Sequence, residues 1–131
     1  MPNIIFSLMI SVLSLHFFTV TYRTNGVNRT LYNIPISIFE SSIPLLYEGD
    51  VFEPYFDKES LEAKLTYYFD SNLKKYVSKY YLEYYYFNQD DYSICRGNRC
   101  QAVEISLKAD IVLNVKYNKS ATFYIRSNIN G

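Results

Sequence analysis

The segment IIFSLMISVLSLHFFTVTY, residues 4–22, constrains this chain more than any other part of its sequence. It contains no Asp, Glu, Lys or Arg over its whole length. At roughly 1.5 Å rise per residue, a helix of about nineteen residues reaches close to 30 Å, the thickness of a bilayer's hydrocarbon core. A helix in the core of a soluble domain is rarely so long and apolar on every side. The segment therefore predicts a transmembrane anchor over residues 1–22.

The anchor has few features of a cleaved signal peptide, which needs a basic start, a shorter apolar core and small residues at its cleavage site. Residues 1–3 bring no basic side chain, and the first alanine of the chain is Ala63. These features favour a retained single-pass anchor. His16 lies inside the span with no second ligand-type side chain nearby, so we interpret it as a neutral imidazole facing lipid or another helix.

The remaining sequence is long enough for one domain at most. Thirteen basic residues balance thirteen acidic ones, and this balance does not favour nucleic acid, which selects a clustered basic surface. Aromatic residues make up 18% of the chain, mostly Tyr and Phe, which favour pleated and half-buried surfaces. The composition therefore predicts a sheet in the second half of the chain.

Residues 23–56 predict a connector between the anchor and the domain. They begin with the polar stretch RTNGVNRT, in which Asn25 and Gly26 form a strong turn signal. Pro35 and Pro44 interrupt the apolar stretch that follows. We expect this part of the connector to form short extended pieces.

Residues 57–77, DKESLEAKLTYYFDSNLKKYV, predict the clearest soluble helix. Asp57 is a suitable N-cap, because its carboxylate can accept the free amide of Ser60. Phe56 and Leu61 occupy the two positions of a hydrophobic staple. One face of the helix is apolar apart from Asn72, and it carries Leu61, Leu65, Tyr68, Phe69, Leu73 and Tyr76. We interpret Glu62, Thr66, Asp70 and Lys74 as the solvated side.

Three strands are predicted after this helix. Residues 79–87 are dense in Tyr and too short for a second long helix. Residues 101–117 alternate between apolar and polar types, which is typical of a long antiparallel strand with one buried face, and its length predicts a bend or bulge. Asn118 and Lys119 predict a turn before a last strand at residues 121–126. The fold class is therefore α+β: residues 57–131 form an amphipathic helix packed on a three-stranded antiparallel β-meander, behind the transmembrane helix.

The Tyr-rich strand has two aromatic faces, and a single helix covers only one face of a sheet. Tyr81, Tyr85 and Phe87 alternate on one of these faces. Tyr is frequent at interfaces because it is large, stiff and amphipathic. We interpret these three residues as a candidate interaction surface, and packing beneath the connector is the alternative.

The stretch ICRGNRC holds both cysteines, Cys95 and Cys100. A structural zinc site needs about four Cys or His ligands, too many for this chain alone, and the spacing is not the C-x-x-C of a redox motif. Gly97 and Asn98 are turn formers, so the spacing favours a disulfide that closes a short loop. A disulfide places the domain outside the cytoplasm. Positive-inside counting of Arg23 and Arg29 argues for the opposite side, and we give the cysteines more weight.

No pattern of residues predicts catalysis or a cofactor. Two groups of acidic residues are sequence neighbours in predicted loops rather than converging partners in a cleft: Glu48, Asp50 and Glu53 in the connector, and Asp90 and Asp91 in a turn. Nucleophile-elbow, P-loop and dinucleotide motifs are absent from the sequence. We therefore expect a non-enzymatic protein without a cofactor, a metal or a small-molecule substrate.

A single membrane helix, a soluble helix beginning FDKESLEAKLTYYF and a terminal meander with one disulfide together resemble a small pilin-like protein. The organisation resembles that of the pseudopilins of tight-adherence pili in Gram-positive bacteria. The resemblance covers the organisation of most of the chain. The Gly and Glu of that family's processing site have no counterpart at the head of the span, so no site residue is carried over. The resemblance implies a structural or assembly protein at the cell membrane, with lipid and protein subunits as partners.

Two alternatives belong to other classes. The first is an anchored binding module whose Tyr-rich sheet face meets a partner. The second is a cytoplasm-facing membrane accessory protein with free thiols, which follows if the two arginines determine the orientation.

Overall fold

The computed structural model describes residues 2–44, 54–88, 91–112 and 115–125. It confirms the α+β class, with an apolar N-terminal helix, further helices and a three-stranded antiparallel sheet. The helices are α1 (Pro2–Tyr32), α2 (Ile36–Glu40) and α3 (Lys58–Leu73), and the strands are β1 (Tyr80–Phe87), β2 (Ala102–Val112) and β3 (Val115–Tyr124).

Helix α1 does not end where the anchor was expected to end. It continues through Asn25 and Gly26 to Tyr32, so the turn predicted at these two residues is wrong. The reason is burial, because Val27 and Leu31 lie in the core of the domain with no exposed surface. Glycine in a helix costs about 1 kcal/mol relative to alanine, and burying two aliphatic side chains more than offsets this cost.

Helix α2 replaces part of the extended connector that we expected. Pro35 precedes it with a φ of −57°, which is compatible with the start of a helix. The helix turns Phe39 into the core, where its ring stacks on that of Phe123 with centroids 4.2 Å apart and lies edge-on to that of Phe56. The prediction of short extended pieces is therefore wrong for Ile36–Glu40.

Helix α3 begins as predicted. The carboxylate of Asp57 accepts the amide of Ser60 at 3.4 Å, and Phe56 and Leu61 are both buried. The apolar face is also confirmed, since the fully buried residues of the helix are Leu61, Leu65, Phe69 and Leu73. The helix ends at Leu73, and the amides of Tyr76 and Val77 then donate to the Leu73 carbonyl in a closing turn.

The sheet has the order β1-β2-β3, and both pairings are antiparallel. The long strand predicted over residues 101–117 is wrong, because Val112 pairs with Val115 and the chain reverses between them. Asn118 and Lys119, the predicted turn, lie inside β3. The cross-strand partners Ala109 and Tyr117 both have odd residue numbers, and so odd-numbered side chains point to the same face of the sheet in β2 and in β3. The alternation of apolar and polar residues therefore continues from β2 into β3 and does not reveal the reversal. The expected irregularity does occur, between Asp110 and Val112.

Two helices, rather than the one expected, cover the same face of the sheet. They are antiparallel: the ring of Tyr76 after α3 meets that of Tyr22 on α1, and the Tyr68 hydroxyl on α3 donates to the carbonyl of Thr30 at 2.9 Å. Helix α1 lies over β3, where the Tyr117 hydroxyl donates to the side-chain oxygen of Asn28 at 2.8 Å. The core therefore lies between one helical layer and one sheet.

Gly26 allows the close approach of Tyr76 to α1, which a double-mutant cycle tests. A β-carbon at position 26 would overlap the Tyr76 ring, so we expect Gly26→Ala to destabilise the domain by about 1–3 kcal/mol through overpacking. With Tyr76→Ala as background, the same change should stabilise it by up to about 1 kcal/mol, because alanine is the better helix former. Urea unfolding of the four proteins measures both signs, and the same sign in both backgrounds would contradict the contact.

Candidate functional site: the disulfide clip and the outer sheet face

The two cysteines form a disulfide, as predicted. The Cα atoms of Cys95 and Cys100 are 5.9 Å apart, and both residues are buried. Cys95 lies in the loop after β1, and Cys100 lies just before β2. We call residues 95–100 the disulfide clip.

The disulfide clip contacts β1 and the segment just before α3. The amide of Cys95 donates to the carbonyl of Tyr86 in β1 at 2.8 Å. The amide of Phe56, just before α3, donates to the carbonyl of Cys100, also at 2.8 Å. The guanidinium of Arg99 lies 5.5 Å from the centre of the Tyr55 ring, so this arginine packs on an aromatic face. The clip therefore fixes the loop against both layers of the fold.

Removing the disulfide should have a modest effect on stability. For the double variant Cys95→Ser/Cys100→Ser we expect a loss of about 2 kcal/mol in the free energy of unfolding, because the closed loop is short. Urea unfolding of the wild type with and without reductant measures the same quantity. The variant, which has no thiols, serves as the control and should not respond to reductant. An unchanged unfolding midpoint of the wild type after verified reduction would contradict the assignment.

The outer sheet face, which we define as the face turned away from α1 and α3, carries the predicted interaction residues. Tyr81 and Tyr85 are 66% and 47% exposed, while Phe87 is half-buried. The Tyr85 hydroxyl donates to the carboxylate of Glu83 on the same face. The structure therefore places all three predicted residues on one face, with Tyr85 and Phe87 closest to the disulfide clip.

Sequence reasoning missed two tyrosines near this end of the outer sheet face. Phe87 and Tyr124 both pair with Ala102, from opposite sides of β2. Tyr92 lies edge-on to Tyr124, with ring centroids 6.4 Å apart, and both rings are largely exposed. The end of β1 and the end of β3 lie beside each other only because of the way the three strands pair. The sequence analysis predicted the turn before β3 at the wrong position, so it could not predict this pairing. We call Tyr85, Phe87, Tyr92 and Tyr124 the outer aromatic patch.

The side of α3 that we interpreted as solvated also forms hydrogen bonds with tyrosines of β1. The Tyr86 hydroxyl donates to Glu62 at 3.2 Å, and the Tyr80 hydroxyl donates to Asp70 at 3.1 Å. Between them, the hydroxyls of Tyr84 and Thr66 are 3.3 Å apart. Three tyrosines on the inner face of β1 therefore form hydrogen bonds with three polar side chains that lie four residues apart along α3. Thr66, Asp70 and Lys74 are nevertheless exposed, as predicted, and Lys74 forms an ion pair with Asp70 at 3.2 Å.

Burial raises the pKa of several of these phenols. The pKa of Tyr86 is raised first by desolvation and then by the negative charge of Glu62. Desolvation is likewise the main cause of the raised pKa values of Tyr68, Tyr80 and Tyr84. It also raises the pKa of Tyr117 to about 12. The folded domain therefore holds these hydroxyls protonated where an unfolded chain would lose its phenolic protons.

The raised phenol pKa values predict alkaline destabilisation. Unfolded tyrosine ionises near about pH 10, so the stabilisation is complete below that pH and is lost as the pH rises towards the folded-state values. We expect the urea midpoint to fall between about pH 10 and 12, and tyrosinate absorbance to rise together with unfolding. Tyr117→Phe should make the fall shallower. A midpoint that stays constant over this range would contradict the burial of these hydroxyls.

The acidic residues considered in the sequence give no metal site within the described ranges, where no three His, Cys, Asp or Glu side chains converge. Glu48, Asp50, Glu53 and Asp90 lie outside those ranges. The carboxylate of Asp91 accepts the amide and the hydroxyl of Ser93, at 3.0 and 2.6 Å. These bonds lower the pKa of Asp91 and give it a local structural role in the loop.

The first part of α1 has the properties of a membrane span. It is long and apolar enough to cross a membrane, with a mean hydropathy of 2.0 in its most apolar window and none of that window buried by the rest of the chain. His16 is exposed on this part of the helix. The Arg23 guanidinium, just beyond it, donates to the carbonyl of Ile111 at 3.1 Å. The apolar helix therefore becomes part of the domain directly after its exposed half.

Neither the sequence nor the structure of this chain matches a protein-family model, a curated protein or a solved structure.

Proposed function

We propose that this protein is a non-enzymatic, membrane-anchored structural or assembly subunit of pilin-like type, with its domain outside the cytoplasm. The observation that carries the proposal is the continuity of α1. One helix presents an exposed apolar half and then places Val27 and Leu31 in the core of the domain.

A continuous helix couples the position of the domain to that of the span. Gly26 is the weakest helix former between the apolar segment and the core, and Tyr76 packs against it. Spans that pack side by side in a membrane would therefore hold their domains in a defined arrangement. This coupling is what an assembly subunit requires, and a flexible linker would not provide it.

The extracytoplasmic location is supported by the disulfide, because disulfides persist in oxidising compartments. Arg23 and Arg29 favour the opposite orientation by positive-inside counting, and we give the disulfide more weight. Arg29 remains exposed at the end of α1.

Cysteine crosslinking along the span tests the assembly proposal. The native cysteines are paired with each other, so single cysteines introduced at Leu8, Val12 and Leu15, and at other positions of the exposed half, can be oxidised in native membranes. We expect covalent dimers at positions that recur with helical spacing, because packed spans meet along one face. A cysteine at the exposed residue Ala63 of α3, on the side of the domain away from the outer sheet face, is the control and should stay monomeric. A monomer at every position of the span would contradict the proposal.

The second candidate function is an anchored binding module, and the exposure of the outer aromatic patch favours it. Aromatic side chains at this density are typical of protein interfaces. A photoreactive amino acid in place of Tyr85 should then give a covalent adduct with a different protein, and Tyr124→Ala should weaken that adduct. Adducts that contain only this chain would support self-assembly instead.

A further inference from the structure

We propose that the end of the domain next to the anchor is a cationic surface that rests on anionic lipid headgroups of the membrane that holds α1. We define this membrane-proximal surface by Lys74, Lys75, Lys79 and Lys116. The inference rests on the proposed function, since it needs α1 to be inserted in a membrane.

Three contacts place these residues beside the end of the apolar segment. The ring of Tyr76, directly after Lys74 and Lys75, lies 5.5 Å from the ring of Tyr22. The Arg23 guanidinium donates to the carbonyl of Ile111 near the end of β2. The amide of Asp110 donates to the carbonyl of Lys79 at 3.3 Å. The end of α3, the start of β1 and the end of β2 therefore meet where α1 leaves its apolar segment.

Lys116 belongs to the same end of the domain. It is the second residue of β3, and its cross-strand partner is Asp110. Lys79, Asp110 and Lys116 thus form a row across the three strands. All four lysines of the membrane-proximal surface are exposed.

The charges of the domain are unevenly distributed between its two ends. At the membrane-proximal end, Arg23 and the four lysines outnumber the acidic residues Asp70 and Asp110. Asp70 is already paired with Lys74. At the opposite end, where α3 begins and the disulfide clip lies, acidic residues outnumber basic ones in the described part of the chain: Asp57, Glu59, Glu62 and Asp91 lie there with Lys58, Arg96 and Arg99. The excess positive charge therefore lies where the chain enters the membrane.

Lipid headgroups are the partner that fits this placement. Basic side chains next to a span are attracted by anionic lipid within about 10 Å, the screening distance at moderate salt. The edge-on pair of Tyr22 and Tyr76 lies at the same level, and tyrosine is enriched at the boundary between membrane and water. Because α1 is continuous, the surface is held at the boundary without a flexible linker, which limits the entropy lost on contact.

Lysine acetylation of the full-length chain in nanodiscs tests this proposal. The same protein is reconstituted in zwitterionic phosphatidylcholine and in a mixture with phosphatidylglycerol, and the rate at each lysine is measured by mass spectrometry. We expect the four membrane-proximal lysines to react several-fold more slowly in the anionic nanodiscs, and high salt to restore their rates. Lys58 and Lys64, in the first two turns of α3 and so away from this end, are controls within the same molecule.

Each outcome of the experiment has a separate meaning. Equal rate changes at the four lysines and at the two controls would overturn the proposal. Protection that is the same in both lipids would also overturn it, because it would indicate coverage by protein. A chain that is washed off the nanodiscs by alkaline carbonate would instead contradict the membrane anchoring itself, and with it the proposed function.

Discussion

Replacing Leu31 by alanine is expected to lower the free energy of unfolding of the domain by roughly 2–5 kcal/mol. Leu31 has no exposed surface, although it lies on the same helix as the exposed apolar N-terminal segment. Shortening it leaves a cavity where α1 packs on the sheet and on α3. Urea unfolding of the full-length chain in detergent micelles, followed by near-UV circular dichroism of the tyrosines, measures the change.

Leu15→Ala is the matched control for this prediction. It makes the same chemical change on the same helix, at a side chain that is 67% exposed and lies in the apolar N-terminal segment. We expect it to leave the unfolding of the domain unchanged. If Leu31→Ala were as mild as Leu15→Ala, α1 would not be part of the core, and the coupling of anchor to domain would be lost.

Phe69→Ala is expected to cost roughly 3–5 kcal/mol, the range for a buried aromatic side chain. Phe69 is fully buried on the apolar face of α3, and its ring is edge-on to that of Tyr68 at 5.3 Å. Its removal opens a cavity between the helical layer and the sheet. The unfolding midpoint of the full-length chain measures the effect.

Tyr67→Ala provides the comparison on the same helix. This ring is 77% exposed, so we expect a change within about 0.5 kcal/mol, as for most surface substitutions. Similar losses for Phe69→Ala and Tyr67→Ala would show that α3 does not pack on the sheet by the face that the structure assigns to it.

The parts of the fold that depend on local interactions follow from the sequence. The cap of α3 needs only Asp57 and the amide of Ser60, and β1 follows from a short Tyr-rich stretch. The disulfide was predictable because the residues between the cysteines favour a turn.

The parts that depend on tertiary contacts do not follow from the sequence. Gly26 is a turn residue in isolation, and the helix passes through it because Val27 and Leu31 are buried by the sheet and α3. Apolar and polar residues alternate in the same way along one long strand and along two paired strands in which odd-numbered residues face the same side. The sequence therefore does not show that the chain reverses after Val112. The hydrogen bonds that tyrosine hydroxyls donate to Glu62 and Asp70 likewise depend on the position of α3 on the sheet.

The candidate surfaces divide in the same way. Tyr81, Tyr85 and Phe87 share a face because of their spacing within one strand, which the sequence contains. Tyr124 joins Phe87 only through the register of three strands. The membrane-proximal surface collects lysines from the ends of three elements, and no local pattern of residues predicts it.

Thiol labelling of intact cells measures on which side of the membrane the domain lies. A cysteine at the exposed position Thr122 should react fully with a membrane-impermeant maleimide before the cells are opened. Cys95 and Cys100 should not react without reductant, because they are joined. Labelling of Thr122→Cys only after permeabilisation, with free thiols at Cys95 and Cys100, would contradict the extracytoplasmic location of the domain. It would favour the cytoplasm-facing alternative.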